Sequence, residues 1–479
     1  MLDRLRDMGV AVHPHVTDHG YDFNGGTPFE IQRTTVELLT ENPRAYVLSS
    51  MGTGKTKCVC WAFDYLRRVR SANRMLVVAP LSTLRFTWAR EIFLTTPQYK
   101  TAVLHAATRE KRKALLADRS IDIYIVNHDG LAIIADEVAK RDDIDVIVLD
   151  ELATYRNNTK KTRIAMNLCR GKPTVWGMTG APTPNAPTDV YQQAKIITPG
   201  TVPKYFSTFR DMTMIRINQF RWVPKRESTE TAMRALQPNV RFTLDDVTEL
   251  PPFISRIVDV ELGPKQRKVY DDVRRDCQAL LAKGTIKAAN AGAVMNKLLQ
   301  ISLGWVYLED GSTLSLDNDR RNDALVDLIM STDRKAIVFT PFKHSLAGIE
   351  KLLNGASISN QMVSGDTSLG NRDKIFRAFQ FDADPKVLLA HPECVSHGIT
   401  LTAADTVIWH GPITSLEIYD QANARIRRVG QQHKQQFLHL QATAVEKHIY
   451  NLLMRKLTVQ DELLKMLEEE SRNTMNGGK

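Results

Sequence analysis

Residues 49–56 read SSMGTGKT, and this octapeptide narrows the choice of fold more than any other segment. Gly52 and Gly54 let the backbone turn its N–H groups inward around β- and γ-phosphates, and Lys55 puts a point charge where a triphosphate is most negative. Thr56 offers a hydroxyl to Mg²⁺. A loop of this kind works only between a strand and a helix. The flanks supply both: RAYVLSS (44–50) is a short apolar strand, and KTKCVCWAFDYLRRV continues as an amphipathic helix. Met51, Gly52, Thr53, Gly54, Lys55 and Thr56 are therefore the expected contacts of ATP, with Mg²⁺ as its companion. One position departs from the usual G-x-x-x-x-G-K-[ST], which asks for glycine where this chain carries Ser49.

The same alternation continues downstream. Apolar runs RMLVVAP, TAVLH, IDIYIVN, IDVIVLD and PTVWGMTG come next, most with a helical stretch behind them, which predicts a parallel sheet covered by helices on both faces. A second series starts after the proline-marked TELPPF (248–253), with helical patterns over 264–281 and around AVMNKLLQ, then strands KAIVFT, NQMVSG, KVLLAH, DTVIWH and QFLHLQ. The 479 residues thus divide into an N-terminal extension (1–26), a first α/β domain (27–200), a basic aromatic connecting segment (201–250), a second α/β domain (251–470) and a disordered tail (471–479). Ligand sites in such sheets lie at the carboxyl ends of the strands.

A phosphate loop needs a second carboxylate site to hold the metal and activate water. VIVLDELA (146–153) places Asp150 and Glu151 at the end of an apolar strand, 150 − 55 = 95 residues after the lysine. Asp150 there reaches Mg²⁺ through water and Glu151 takes the proton of the attacking water. Net charge is 64 − 54 = +10, and its distribution matters more than its size. Between Lys204 and Arg241 lie eight basic and three acidic residues, interleaved with Tyr205, Phe206, Phe209, Phe220 and Trp222. The segment is either a nucleic-acid-binding surface, with Arg221 and Lys225 on the backbone, or a lid whose aromatics are core. Five scattered cysteines without a C-x-x-C pair argue against a zinc ribbon or a disulfide framework. HPECVSHG brings His391, Cys394 and His397 close together in sequence, a spacing that could suggest zinc but lacks the paired ligands of a zinc ribbon. No apolar run is long enough for a membrane span, so the expectation is a cytoplasmic protein, in the host cytoplasm if phage-encoded.

These motifs resemble those of the superfamily 2 helicases, and within them the SWI/SNF-like translocases, over about residues 28–440. The family's phosphate loop also carries a small residue in place of the first glycine. The resemblance implies two tandem RecA-like domains with ATP in the cleft between them. It also assigns roles. PFEIQRTTVELL is similar to the adenine-reading segment, which makes Gln32 the adenine contact. VVAPLSTLRFTWAREI and VNHDGL look like motifs Ia and Ib, which implies DNA-backbone contacts at Pro80, Trp88 and His128. GMTGAPTPN is similar to motif III, with Ala181 in place of its second threonine, and SHGITLT is similar to motif V, with Gly398 near the nucleotide. QANARIRRVGQ (421–431) matches the family's late signature at Gln421, Arg425, Arg428, Gly430 and Gln431, with Ala424 and Arg427 departing from it. Ala153 departs too, replacing the histidine of the usual Asp-Glu-x-His.

Arginines in a second domain have an independent rationale. Charge accumulates on the γ-phosphate in the transition state, and a guanidinium supplied from outside the phosphate loop stabilises it. On a helix Arg425 and Arg428 would share a face. The expected machine is a monomeric ATPase that moves along DNA, duplex rather than single-stranded, with replication or recombination proteins as further partners and no membrane. A nucleotide-gated DNA clamp and an RNA helicase are the alternatives.

Overall fold

The computed structural model describes residues 16, 20–106, 108–218, 222–246, 251–282, 288–307, 312–395, 399–428 and 430–455. The chain forms two compact units, Met1–Glu249 and Leu250–Lys479. In the first, the strands are β1 (Arg44–Val47), β2 (Arg74–Ala79), β3 (Thr101–Val103), β4 (Ile123–Asn127), β5 (Ile144–Asp150) and β6 (Thr174–Met178). A two-stranded antiparallel ribbon, β7 (Met214–Arg216) with β8 (Trp222–Pro224), and a short β9 (Asn239–Val240) complete the set among the described residues. The main sheet has the order β3-β4-β2-β5-β6-β1-β9 and every pairing in it is parallel.

Strand residues alternate between two faces, and here both faces are covered. Tyr46, Leu76, Val78, Ile147 and Leu149 pack into one core; Ala45, Val47, Met75, Val77, Val146 and Val148 pack into another. This two-sided burial is why the strands read as unbroken apolar runs. Of the segment expected to be a connector, residues 201–249 fall within the first unit. Its β9 extends the sheet beside β1, and Phe209 is buried in the same core as Tyr46.

The second unit contributes β10 (Phe253–Asp259), the hairpin β11 (Trp305–Tyr307) and β12 (Thr313–Ser315), then β13 (Lys335–Phe339), β14 (Asn360–Val363), β15 (Val387–Ala390), β16 (Ala404–Trp409) and β17 (Gln435–Gln441). Its sheet runs β10-β17-β16-β13-β15-β14, again all parallel and again sandwiched between two apolar clusters. The helical stretches expected over 264–281 and around AVMNKLLQ are the helices Pro264–Ala282 and Ala288–Ser302. The late helix Ala444–Met454 packs its Ile449, Tyr450 and Leu453 into the core, and residues 456–479 lie outside the described residues.

This second core also contains polar groups. Arg321 and Glu446 form a fully buried ion pair at 2.7 and 3.0 Å, and Glu446 also accepts from the backbone N–H of Ala442 and Thr443. His439 is buried with its Nε2 2.7 Å from the Tyr419 hydroxyl, and burial lowers its pKa from 6.5 to about 4. Burial and the Arg321 charge push His410 the same way. Both rings are therefore neutral in the fold while the unfolded chain takes up protons below pH 6.5, so their stabilising contribution is complete above that value and is lost as pH falls toward 4. Unfolding free energy measured by denaturant titration is expected to drop by about 2 kcal/mol between pH 6.5 and 5 on account of His439 alone, and His439→Gln to flatten that slope.

Candidate active site

Register brings the motifs together. Val47 of β1 pairs with Met178 of β6, and Met178 pairs with Asp150 of β5, so three strands end level. The chain leaves them at Leu48, Thr179 and Glu151, side by side on one sheet edge, and the Thr179 N–H donates to the Val47 carbonyl at 3.1 Å. Segments separated by more than a hundred positions in sequence thus become hydrogen-bonded neighbours.

The glycine loop adopts the conformation its composition demands. Gly52 and Gly54 both have φ of 84°, a left-handed geometry that a side chain strains. A Cβ on Gly54 would also lie 2.3 Å from Nε2 of Gln32. Lys55 opens the helix Lys55–Arg68, where the helix dipole and free N–H groups favour an anion. Its ammonium donates to the carbonyls of Ser49 and Ser50 at 2.8 and 3.0 Å, which holds it over the loop. Met51, Gly52 and Thr56 are half-buried at the loop surface; Thr53 is buried, and its hydroxyl donates back to the Ser50 carbonyl at 2.9 Å. Gln32 is buried as well: its amide donates to the Thr53 carbonyl at 3.2 Å and accepts from the Phe29 N–H at 3.1 Å. It braces the loop from beneath.

Ser49 has its own reason. It is buried, and its hydroxyl accepts the Phe242 N–H at 3.1 Å, while the Ser50 N–H donates to the Phe242 carbonyl at 2.8 Å. A glycine there would leave the segment after β9 held by the backbone bonds alone.

Asp150 is buried at the tip of β5. Its Oδ2 accepts the indole N–H of Trp88 at 2.8 Å, and its Oδ1 accepts the Glu151 N–H at 3.0 Å. Burial pushes its carboxyl above the ordinary range, opposed by the indole, the Lys55 ammonium and that N–H. Glu151 turns the chain with φ of 48° and stays half-exposed on the edge. Trp88, expected on a nucleic acid, is fully buried within a π-helical turn (Leu84–Ala89), a turn of wider radius than an α-helix, and its ring meets the tip of β5. His128 is buried too, its Nδ1 2.9 Å from the hydroxyl of Tyr155 just after Glu151. Both side chains are buried in this arrangement, each tied to the strand or turn that carries the acidic pair. Together they brace the carboxylate turn from below, where Ala153 is itself buried. Pro80 is half-exposed at the end of β2, and its carbonyl accepts from Thr83. Trp88→Phe removes the N–H together with part of a fully buried ring; the Mg²⁺ concentration giving half-maximal ATPase activity is expected to rise about tenfold, the worth of one hydrogen bond to a charged group, and the cavity left by the smaller ring to lower stability by about 1–2 kcal/mol in thermal unfolding.

In the second unit the helix Leu416–Asn423 ends before the arginines, which lie in the turn after it. They converge by another route. Nη1 of Arg425 and of Arg428 both donate to the Ile399 carbonyl, at 3.2 and 2.9 Å. Arg425 is fully buried and also donates to the Gln421 carbonyl, a tie that holds the turn together from within. Arg428 is half-exposed, bonded to the Thr400 hydroxyl as well. Gln431 is buried and pins the turn to the Ala404 carbonyl at 2.9 Å. Gly398 lies outside the described residues, as does Arg221.

The basic aromatic segment divides its roles. Phe209 is core, whereas Tyr205 and Phe206 are exposed and the Arg210 guanidinium sits 4.0 Å from the Trp222 ring centroid. The Lys225 ammonium donates to the Asp211 carbonyl at 2.6 Å, closing the base of the β7–β8 ribbon.

The donors at the edge suit magnesium. They are a hydroxyl and a carboxylate, all oxygen, and no group of three or more acidic, histidine or cysteine side chains gathers among the described residues. Magnesium asks for one or two such ligands and takes the rest from phosphate and water.

Comparison with known proteins agrees with this layout. The SNF2-related domain matches residues 36–305 and the helicase conserved C-terminal domain matches 320–430. A Mycoplasma genitalium protein described as an uncharacterized ATP-dependent helicase is 24% identical over 90% of this chain and 43% of its own length. Protein p41 of Acyrthosiphon pisum secondary endosymbiont phage 1 is 25% identical over 84% of this chain and 88% of its own length. The Xenopus laevis SWI/SNF-related matrix-associated actin-dependent regulator of chromatin subfamily A-like protein 1 is 24% identical over 93% of this chain. The chain spans 43% of the length of that protein and of the Mycoplasma one.

Proposed function

Since the chain belongs to the SNF2-related family, we propose that it hydrolyses ATP and uses the energy to move along duplex DNA. The observation that carries this is the level ending of β1, β5 and β6, which sets Asp150, Glu151 and Thr179 on one edge, with the Lys55 ammonium near enough to act on the Asp150 charge. Lys55 and the loop N–H groups bind the β- and γ-phosphates, and Gln32 keeps the loop in shape. Thr56 and Asp150 would hold Mg²⁺, which neutralises phosphate charge when bound. Glu151 orients and deprotonates the attacking water. Arg428, from the second unit, completes the site in a closed arrangement of the two units and stabilises the transferring phosphoryl group. Nucleotide thereby favours closure and its hydrolysis releases it, so that DNA is gripped alternately.

Backbone contacts dominate in such a motor, because tight reading of bases would stall it. ATPase activity is to be measured with duplex DNA, single-stranded DNA and RNA over a range of salt. Strongest stimulation by duplex, weakening steeply with salt, is the expected result; equal stimulation by RNA would refute the choice of substrate. Displacement of a third strand far from the loading site, only while ATP turns over, separates a motor from a clamp.

A further inference from the structure

The carbonyl of Ser49 and the N–H of Ser50 belong to one planar peptide unit, so they point in opposite directions and cannot move independently. Both ends are occupied. The carbonyl accepts the Lys55 ammonium at 2.8 Å, and the N–H donates to the Phe242 carbonyl at 2.8 Å. The buried Ser49 hydroxyl adds a second tie, accepting the Phe242 N–H at 3.1 Å. Phe242 lies 250 − 242 = 8 residues before the second unit begins, on the segment that leaves β9.

We propose that the Ser49–Ser50 peptide plane is a lever that passes displacement of the outgoing segment to Lys55, with the Ser49 hydroxyl as its positioning group. Tilting the plane at the Phe242 end necessarily moves the acceptor of the phosphate-binding ammonium at the other. The chain has a serine where the usual loop pattern has glycine because only a side chain can supply the second tie. This rests on the proposed ATPase reading for its purpose, and its geometry can be tested without nucleotide.

Three variants serve: Ser49→Ala removes the hydroxyl, Ser49→Thr keeps it, and Ser49→Gly restores the usual loop residue should alanine fail to fold. In the nucleotide-free full chain, amide exchange at Phe242 and the rate of Lys55 acylation are followed by mass spectrometry. Alanine or glycine is expected to speed Phe242 exchange about fivefold, the size of one neutral hydrogen bond, and to change Lys55 labelling at least about twofold, with threonine matching the wild type. In turnover, the ratio of DNA-stimulated to basal hydrolysis is expected to fall about fivefold with alanine. Unchanged Phe242 exchange, or faster exchange with unaltered Lys55 labelling, would overturn the lever. A wild-type chain that hydrolyses no ATP would sink the proposed function and leave the labelling result standing.

Discussion

Lys55→Ala is expected to abolish measurable ATP turnover, lowering kcat/KM by on the order of 10³ or more while leaving the fold intact. The ammonium is the charge at the mouth of the glycine loop, held over it by the Ser49 and Ser50 carbonyls. Its removal takes away a preorganised cation aimed at phosphate oxygens, and loss of one such group at a developing charge costs 10²–10³ in rate before weaker ground-state binding is added. The stability cost is small because the Ser50 carbonyl keeps the Thr53 hydroxyl and the lysine side chain is itself only half-buried. A fluorescent ATP analogue read by anisotropy, together with thermal unfolding, separates the two effects. Turnover within tenfold of wild type would show that this loop is not the phosphate site.

Arg428→Ala is expected to lower kcat by about 10³ to 10⁵ with little change in affinity for an ATP analogue, since the guanidinium acts on charge that appears only in the transition state. Arg425→Ala is expected to behave differently. That side chain is fully buried and bridges the Gln421 and Ile399 carbonyls, so its loss removes the Gln421 tie, leaves Ile399 to Arg428 alone and destabilises the second unit by about 2 kcal/mol. Single-turnover kinetics and urea unfolding on both variants distinguish a chemical role from a structural one. An Arg428 variant that hydrolyses ATP at the wild-type rate would end the case for a second-unit contribution to the reaction.

Much of this site is legible in the sequence. The loop from Ser49 to Thr56 is read locally, because glycines at φ of 84° and a lysine at a helix start have few other uses together. Asp150 and Glu151 are legible because a buried parallel strand of unbroken apolar residues announces its own end. The directions of Trp88 and His128 are not. Nothing in VVAPLSTLRFTWAREI signals a π-helical turn, and that one extra residue per turn decides whether the indole meets solvent or Asp150. Likewise, arginines three apart look like one helical face, and the early end of the helix at Asn423 replaces that geometry with a turn folded onto Ile399.

The amino-acid order alone determined that the chain builds two parallel-sheet units and that the first carries a phosphate loop and a carboxylate pair, because hydrophobic periodicity and glycine conformations are local properties. Only the tertiary structure decided which polar side chains work at the surface and which hold the site up from within. Burial is set by partners distant in sequence: Asp150 captures Trp88 from 62 positions away, and Phe242 captures Ser49 from 193. A residue's neighbours along the chain carry no record of such contacts.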